Sequence, residues 1–408
     1  MTATGKPAFL SALGVVSALG SGKAQSSETL FGDRPADMIL HDDYLVDAST
    51  ILGTVTSPPD ALPDHLGHYD TRNNRLLWTA ANQIADEISD VIATFGRDRV
   101  AIILGTSTSG IEEGTSGYRE KLATGKWSDT FRYEHQEIGS PADFLRDALG
   151  LQNQAYVIST ACSSSAKAFA AARRLMNAGF CDAVLVGGVD SLCRLTVRGF
   201  HSLSSVATGI CNPLSINRDG INIGEGAALF VMRPDRGDIS VLGVGETSDA
   251  HHPNAPHPDG IGATAAMRAA LDQAGLSPAA VSYVNMHGTA TPLNDSMEAR
   301  AIHQVFGHDI AVSSTKPMTG HTLGAAGAIE AAILWLSLTE IENGPPLPRH
   351  IWDGVADPDI PEINLVKTVG QRLAPAEQSA MMSNSFAFGG SNVSVILGRG
   401  FNHIGPSS

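Results

Sequence analysis

The feature of this chain that most constrains its fold is an alternation of short apolar runs with longer alanine-rich stretches. The runs are rich in Val, Ile, Leu and Ala, as strands are, and they comprise Val100–Leu104, Ala155–Ser159, Ala183–Val186, Val281–Met286 and Ile310–Ser313. Polar residues do not alternate within them, so both faces of the predicted sheet should be covered by helices. Strand and helix patterns in alternation predict an α/β fold.

Two of the alanine-rich stretches lack a polar face. They are Ser163–Ala178, which Gly179 ends, and the stretch from His321 to about Thr339. A helix that is apolar or small-residue rich all round is buried, and small side chains allow close packing on both sides. We therefore predict five layers, in the order helix, sheet, helix, sheet, helix.

A polar bridge, Arg233–Asp238, divides the chain into predicted halves of residues 1–238 and 239–408. Each half contains a strand that leads into a buried helix, which hints at an old duplication. Asp33–Pro63 and Glu340–Pro361 are rich in Pro and Asp and are predicted to be surface loops.

Composition excludes several classes of function. The 408 residues carry a formal charge of −15, and the cations are scattered, so we expect no nucleic-acid binding. The longest apolar stretch, Leu323–Leu338, contains Glu330, so no membrane span is expected. Ala8–Leu19 fits a buried strand and turn better than a signal peptide. The prediction is a cytoplasmic protein.

The four cysteines, Cys162, Cys181, Cys193 and Cys211, lie within fifty residues of one another. A chain of this size hardly needs disulfides, and the spacings match no zinc pattern. We predict free thiols and no metal site.

Cys162 lies between a predicted strand end and the first turn of a buried helix. Unpaired N–H groups and the positive end of the helix dipole favour a thiolate at such a position. The alternative is a small residue tolerated at a tight turn.

Two histidines occupy similar positions. His287 ends an apolar strand, and His321 opens the second buried helix. Each alone is more often structural, but with Cys162 they form a Cys-His-His set at the strand-to-helix edges where α/β sheets gather their sites. A histidine at a helix N-terminus should resist protonation, and its neutral ring can donate an N–H to a developing enolate oxygen.

The stretch Asn384–Asn392 contains Gly389 and Gly390. Adjacent glycines permit backbone angles that would direct a peptide N–H at an oxyanion. A plain hairpin turn is the alternative.

Four motifs in this order give the chain a specific resemblance. They are Thr160–Ser165, His287–Pro292, Lys316–Gly327 and Asn384–Gly390. From about Pro7 to Arg399 the chain resembles the elongating β-ketoacyl-acyl carrier protein synthases of the thiolase superfamily. That resemblance implies a thiolase-like five-layer fold.

The resemblance also implies a reaction, a decarboxylative Claisen condensation with malonyl-acyl carrier protein. Cys162 would be the acylated nucleophile, and His287 and His321 would stabilise the enolate formed on loss of carbon dioxide. The backbone N–H groups of Cys162 and Phe388 would form the oxyanion hole. No resident cofactor is expected, because phosphopantetheine arrives on the carrier protein.

Further residues acquire roles by the same resemblance. Lys316 is similar to a lysine that supports the site electrostatically, and we predict Glu330 as its partner because a buried lysine needs one. Thr289 and Thr291 resemble hydroxyls that bind the pantetheine arm, and Phe388 also resembles a gate over the acyl pocket.

Two departures bear on the subtype: Asn294 precedes Asp295 where Gly is usual, and Leu214 stands where an aromatic residue is usual. With Thr71–Asn74 and the start at Pro7, they place the chain closest to the ketosynthase branch of aryl polyene clusters, with ordinary fatty-acid elongation as the neighbouring option.

The predicted partners are an acyl carrier protein and a second ketosynthase-like subunit. Carrier proteins are acidic, so a chain of −15 needs a local cationic patch, for which we predict Arg72 and Arg75 on one helical turn. The alternative is a solvated helix face. Relatives dimerise, so we expect a homodimer, or a heterodimer with a chain-length-factor-like homologue.

Two rival functions remain: a non-catalytic chain-length-setting subunit, and a second enzyme class that is either a thiolase or a coenzyme A-primed starter synthase. The non-catalytic subunit usually lacks the cysteine that this chain keeps. A thiolase pairs one histidine with a second cysteine, and a coenzyme A-primed starter synthase has an asparagine in place of one histidine.

Overall fold

The computed structural model describes residues 6–340 and 342–401. The outermost residues of the two predicted halves, 1–5 and 402–408, lie outside the described residues, as does Ile341 in the predicted loop Glu340–Pro361.

Fourteen strands are formed by the described residues. They are β1 (Phe9–Ser17), β2 (Gly20–Ser21), β3 (Met38–His41), β4 (Thr50–Gly53), β5 (Val100–Gly105), β6 (Ala155–Ile158), β7 (Ala183–Asp190), β8 (Gly226–Arg233), β9 (Ile239–Ser248), β10 (Val281–Asn285), β11 (Ala311–Ser313), β12 (Asn364–Leu365), β13 (Ser379–Phe386) and β14 (Ser391–Arg399).

Eleven α-helices accompany them in the same part of the chain. They are α1 (Lys23–Phe31), α2 (Arg72–Asn82), α3 (Ala85–Phe95), α4 (Ile111–Thr124), α5 (Ser140–Leu149), α6 (Ser164–Asn177), α7 (Arg194–Ser202), α8 (Ile261–Ala274), α9 (Pro292–Phe306), α10 (Lys316–Thr319) and α11 (Ala326–Thr339).

The main sheet consists of two similar halves. From the midline outward, the first half runs β1-β8-β7-β5-β6 and the second runs β9-β14-β13-β10-β11, with β12 beyond. In each half the first two pairings are antiparallel and the next two are parallel. The halves join where β1 pairs with β9 through Phe9–Ser240 and Leu10–Ile239. The same strand order and direction in both halves fit the predicted duplication.

The two helices without a polar face form the middle layer. Helices α6 and α11 contact each other, and both also contact strands of both halves. Their apolar residues share one core cluster with strands such as β1, β7 and β14. Helices α2, α3 and α5 cover the outer face of the first half, and α8 and α9 cover that of the second. The predicted five-layer α/β fold is confirmed.

Some predicted boundaries and loops were wrong. Helix α11 begins at Ala326, not at His321, because His321 pairs its backbone with the segment around Ile223. Residues 33–63 are more than a loop, since β3 and β4 form a hairpin whose Leu52 is fully buried. The stretch after Ile341 is not wholly a surface loop either, because Leu347 packs in the core.

The apolar stretch Ala8–Leu19 forms β1, in the middle of the sheet. Among the described residues, no helix combines the length and apolar character that a membrane crossing requires.

Candidate active site

Cys162 stands at a strained turn between β6 and α6. Ala161 before it has a φ of 53°, a left-handed conformation that is costly for a residue with a Cβ. The Ser164 hydroxyl holds the turn, because it accepts the Thr160 N–H at 2.9 Å and donates to the Ala161 carbonyl at 2.5 Å. The turn places the Cys162 side chain, 5% exposed, on the wall of a cavity.

His321 is fixed by its backbone. Its N–H donates to the Asn222 carbonyl at 2.6 Å, and its own carbonyl accepts the Gly224 N–H at 2.9 Å. Gly320 makes this approach possible, since a Cβ there would lie 2.8 Å from the Gly224 Cα. The result is a short contact, 2.9 Å between His321 Nε2 and Cys162 Sγ.

His287 follows β10 in a loop held by a buried carboxylate. Glu298 on α9 accepts the N–H groups of His287 and Gly288, both at 2.8 Å. The ring centroid of His287 lies 5.2 Å from that of His321, and the two planes are at 82°.

The structure thus brings together the three residues that the sequence set far apart. The Sγ of Cys162 and one ring nitrogen of each histidine all lie within 4.8 Å of one another. They face a narrow cavity of about 20 Å³. Its lining residues come from both halves: Cys162, Phe200, Ser205, Ile221, His287, Thr289, Thr291, Asn294, His321, Phe386 and Phe388.

The predicted resident thiolate is wrong. Burial raises the pKa of Cys162 to about 12, although the Lys316 charge and the backbone N–H groups of Phe388 and Cys162 favour the ionised form. The helix end does not overcome the loss of water around the sulfur. At neutral pH the residue is therefore a thiol whose hydrogen-bond partner is His321.

Both histidines are held neutral. Burial lowers the pKa of His287 and of His321 well below the usual value, and the Lys316 charge lowers both further. The predicted neutral state of His321 therefore holds, but its cause differs, since α11 begins five residues later. Two neutral rings can serve as N–H donors in this cavity.

Lys316 and Glu330 form a buried ion pair beside the histidines. Lys316 Nζ lies 2.5 Å from Glu330 Oε1, and both side chains are almost fully buried. Burial raises the pKa of Glu330, and the Lys316 charge opposes that rise. The pair keeps a positive charge close to the cavity while its counter-charge lies on α11.

Phe388 lies in the turn between β13 and β14. Its backbone N–H and that of Cys162 both stabilise the ionised sulfur, so the two donors are directed to the same place. Gly389 and Gly390 have φ values of 83° and 78°, which the turn requires. The Phe388 ring lies 5.8 Å from that of Phe200, so the two rings close one side of the cavity.

The pantetheine candidates also lie on the cavity wall. The hydroxyl oxygens of Thr289 and Thr291 are 2.9 Å apart. Asn294, one of the two departures, lines the same cavity. Leu214, the other, has a φ of 64° and donates its N–H to Asp295 at 2.8 Å.

Arg72 and Arg75 do not form the free cationic patch that was predicted. Arg72 binds the fully buried Glu225 through two nitrogens, at 2.5 and 2.7 Å. Arg75 binds Asp70 through two nitrogens, both at 2.5 Å. Each charge is matched by a carboxylate within the fold, although both side chains remain partly exposed, and their role in carrier-protein docking stays a prediction.

Sequence reasoning missed the buried carboxylates that shape the site. Glu298 positions the His287 loop, and Asp190 accepts the N–H groups of Ser107 and Thr108, both at 2.8 Å. An acidic residue that ends an apolar strand, as Asp190 does, is a signal that could have been used. Phe200, Ile221 and Phe386 were missed because nothing in their local sequence marks a cavity wall.

Comparison with known families agrees with this geometry. Residues 74–236 match the N-terminal domain of beta-ketoacyl synthases, and residues 239–346 match the C-terminal domain. The 3-oxoacyl-[acyl-carrier-protein] synthase 2 of Synechocystis sp. is 32% identical over 335 residues, 78% of this chain and 79% of the relative. Its namesake in Staphylococcus aureus is 35% identical over 255 residues, 58% of this chain and 61% of the relative.

Solved structures share the whole fold. The ketosynthase ApeO of Xenorhabdus doucetiae, solved in complex with its chain length factor ApeC, is 42% identical with a TM-score of 0.91, covering 97% of this chain and 98% of that one. The ishigamide ketosynthase/chain length factor, at 24% identity and a TM-score of 0.86 over 97% and 99% of the chains, shows the likeness of fold alone. These matches, together with the geometry of the site, show that this chain belongs to the β-ketoacyl synthase family.

Proposed function

We propose that this chain is the catalytic subunit of an aryl polyene ketosynthase and condenses an acyl chain on Cys162 with malonyl-acyl carrier protein. The observation that carries the proposal is the contact of 2.9 Å between the Cys162 sulfur and His321 Nε2, with His287 across the same cavity. The family supports the reaction class, and the geometry supports the roles of the residues.

The first step transfers the acyl group to Cys162. Because its pKa is about 12, the thiol must lose its proton as the sulfur–carbon bond forms. His321 Nε2 is placed to take that proton, which then passes to the departing pantetheine sulfur. The oxyanion of the tetrahedral intermediate meets the N–H groups of Cys162 and Phe388.

The second step removes carbon dioxide from the malonyl thioester. Electrons of the broken carbon–carbon bond move to the thioester oxygen, which becomes an enolate. Once Cys162 is acylated, Nε2 of His321 can carry the ring proton, since no hydrogen bond holds that proton at Nδ1. In this tautomer the neutral His321, together with the neutral His287, donates an N–H to that oxygen without giving up its proton. The nearby Lys316 charge stabilises the developing anion and keeps the rings unprotonated.

In the last step the enolate carbon attacks the acyl carbonyl on Cys162. The same two backbone N–H groups hold the second oxyanion, and its collapse expels the Cys162 sulfur as a thiolate, which takes up one proton from solvent. Thr289 and Thr291 on the cavity wall are proposed to bind the pantetheine arm. No resident cofactor is invoked, because the carrier protein delivers the phosphopantetheine.

The pathway and partners rest on the most similar structure described above. At 42% identity over nearly the whole chain, ApeO supports a ketosynthase that works with a chain length factor. Such a pair fits the aryl polyene branch that the motifs resemble better than ordinary fatty-acid elongation. It also supports a heterodimer with a chain-length-factor-like homologue over a homodimer. A carrier protein is the second partner, and the cytoplasm suits four free cysteines.

The rival function, a non-catalytic chain-length-setting subunit, has no observation in its favour. Such a subunit needs neither the thiol nor the two imidazoles, and here the sulfur and one nitrogen of each ring lie within 4.8 Å of one another.

The test is the intact mass of the protein after incubation with acyl-carrier proteins of several lengths and unsaturations. We expect one acyl group per catalytic chain, with polyenoyl groups preferred, and none on Cys162→Ala. Preference for saturated long chains would refute the pathway, and acylation of Cys162→Ala would refute the nucleophile. Cys181→Ala, which removes a buried cysteine away from the cavity, is the matched control.

A further inference from the structure

The cavity contains the donor set of a metal site. Within the part of the chain that the structure describes, Cys162, His287 and His321 are the one group of three or more His, Cys, Asp or Glu side chains whose donor atoms lie within 4.8 Å of one another. We propose that these three residues capture one Zn²⁺ reversibly, in competition with the acyl group. This inference rests on the side-chain geometry and not on the proposed reaction.

The donor types suit zinc. Zn²⁺ prefers thiolate sulfur and imidazole nitrogen in a tetrahedral arrangement, with bonds of about 2.3 Å to sulfur and 2.0–2.1 Å to nitrogen. Donors around such an ion are separated by roughly 3–4 Å, and the contact of 2.9 Å between Sγ and Nε2 needs only a small opening. All three side chains line one cavity, so the fourth position of the ion would face that cavity.

The unpaired polar atoms of the site also support metal binding. Nδ1 of His287 and Nδ1 of His321 are buried and have no hydrogen-bond partner. No hydrogen bond to Nδ1 opposes a proton there, so each ring can carry its proton on Nδ1 and present its other nitrogen bare to an ion. Metal-bound histidines in resident sites usually have an outer partner, so its lack here favours weak, reversible capture over a permanent site.

The charges around the site also favour reversibility. Lys316 lies close enough to affect all three groups and repels a cation, but its charge is matched by Glu330 at 2.5 Å. On binding, the thiol proton leaves to solvent and a sulfur–zinc bond replaces the sulfur–hydrogen bond. No oxidation or reduction takes place.

The experiment titrates the metal-free heterodimer, or the chain alone if it is a homodimer, with Co²⁺ as a spectroscopic probe and then with Zn²⁺. We expect one Co²⁺ per catalytic chain, with sulfur-to-cobalt absorption in the near ultraviolet, and its displacement by Zn²⁺. Cys162→Ser should abolish that absorption, and His287→Ala should weaken binding by at least about a hundredfold, the upper end of the cost of changing an outer partner. Cys181→Ala should leave both unchanged.

Prior acylation of Cys162 should also block the metal. Absorption that persists in Cys162→Ser, or a wild-type protein that binds no Co²⁺ or Zn²⁺ up to millimolar concentration, would overturn the proposal. These readouts do not depend on condensation. A chain that condenses normally but binds no metal refutes this inference alone, and a chain that binds metal but cannot be acylated refutes the proposed function alone.

Discussion

The two halves of the molecule share a strand order but place different chemistry at equivalent points. After strands β6 and β11, the chain turns toward a middle-layer helix: the first half places Cys162 there and the second places His321. After the neighbouring strands β5 and β10, the first half has Ser107 and Thr108, whereas the second has His287. One half thus supplies the nucleophile and the other supplies both imidazoles.

The same comparison extends to the groups that hold these loops. In the first half Asp190 accepts the N–H groups of Ser107 and Thr108, and in the second Glu298 accepts those of His287 and Gly288. A buried carboxylate therefore fixes the loop that follows β5 in the first half and the loop that follows β10 in the second. The carboxylate lies on a strand in the first half and on a helix in the second. The two halves therefore fix equivalent loops with residues from different elements.

The largest expected effect comes from removing the first half's contribution. Cys162→Ala should abolish acyl transfer and condensation, because no other thiol lines the described cavity. Decarboxylation of malonyl-carrier protein should persist, since the second half supplies its donors. Mass spectrometry and carbon dioxide release measure the two activities. Condensation by this variant would contradict the division of labour.

Removing either imidazole should affect decarboxylation by roughly a hundredfold, the scale of one lost oxyanion donor. His287→Ala should leave acylation of Cys162 intact, whereas His321→Ala should slow acylation as well, because its Nε2 is the hydrogen-bond partner of the thiol. Single-turnover acylation and decarboxylation rates separate the two. Equal effects of both variants on acylation would show that the contact does not matter.

Substitutions of Asp190 and Glu298, the carboxylates that fix the two loops, should differ in their effect on activity. Asp190→Ala leaves at least two buried N–H groups unpaired, at about 1–3 kcal/mol each, so we expect the free energy of unfolding to fall by about 3 kcal/mol. Glu298→Ala should cost a similar amount and also lower decarboxylation, because the His287 backbone loses its anchor. Urea unfolding and the rate per folded molecule test this. A normal rate in Glu298→Ala would remove its positioning role.

The pH dependence of alkylation tests how the surroundings of Cys162 set the pKa of its thiol. With a pKa of about 12, Cys162 is protonated throughout the neutral range, so its thiolate fraction and its reaction with iodoacetamide should rise about tenfold per pH unit from 7 to 9. Mass spectrometry of the Cys162 peptide measures the rate. A plateau below pH 8 would mean that the helix end outweighs burial after all.

The smallest effects are expected at the rim of the first half. Arg75→Ala removes a half-exposed pair with Asp70 and should cost no more than about 1 kcal/mol. Arg72→Ala should cost more, because it leaves the fully buried Glu225 with two backbone N–H donors but no cation. Thermal unfolding measures both. Carrier binding at low salt then tests the original docking prediction, and an unchanged affinity in Arg75→Ala would place docking elsewhere.

The local sequence was sufficient to predict the strands and buried helices, because buried segments are rich in apolar residues. The runs around Val100 and Val281 are continuous because helices cover both faces, and the stretch before Thr339 is apolar all round because it lies between sheets. The predicted helix boundaries were wrong where a residue forms backbone hydrogen bonds with a distant part of the chain. His321 is kept out of its helix by hydrogen bonds to Asn222 and Gly224, which lie a hundred residues earlier in the chain.

The sequence by itself determined the α/β layering, the two buried helices and the three residue types of the site, because periodicity and motif order are local properties. Only the tertiary structure decided that Cys162 is a thiol and not a thiolate, that Arg72 is tied to Glu225, and that Asp190 and Glu298 fix the loops. Desolvation and ion pairing depend on what surrounds a group in space, and those neighbours lie far away along the chain.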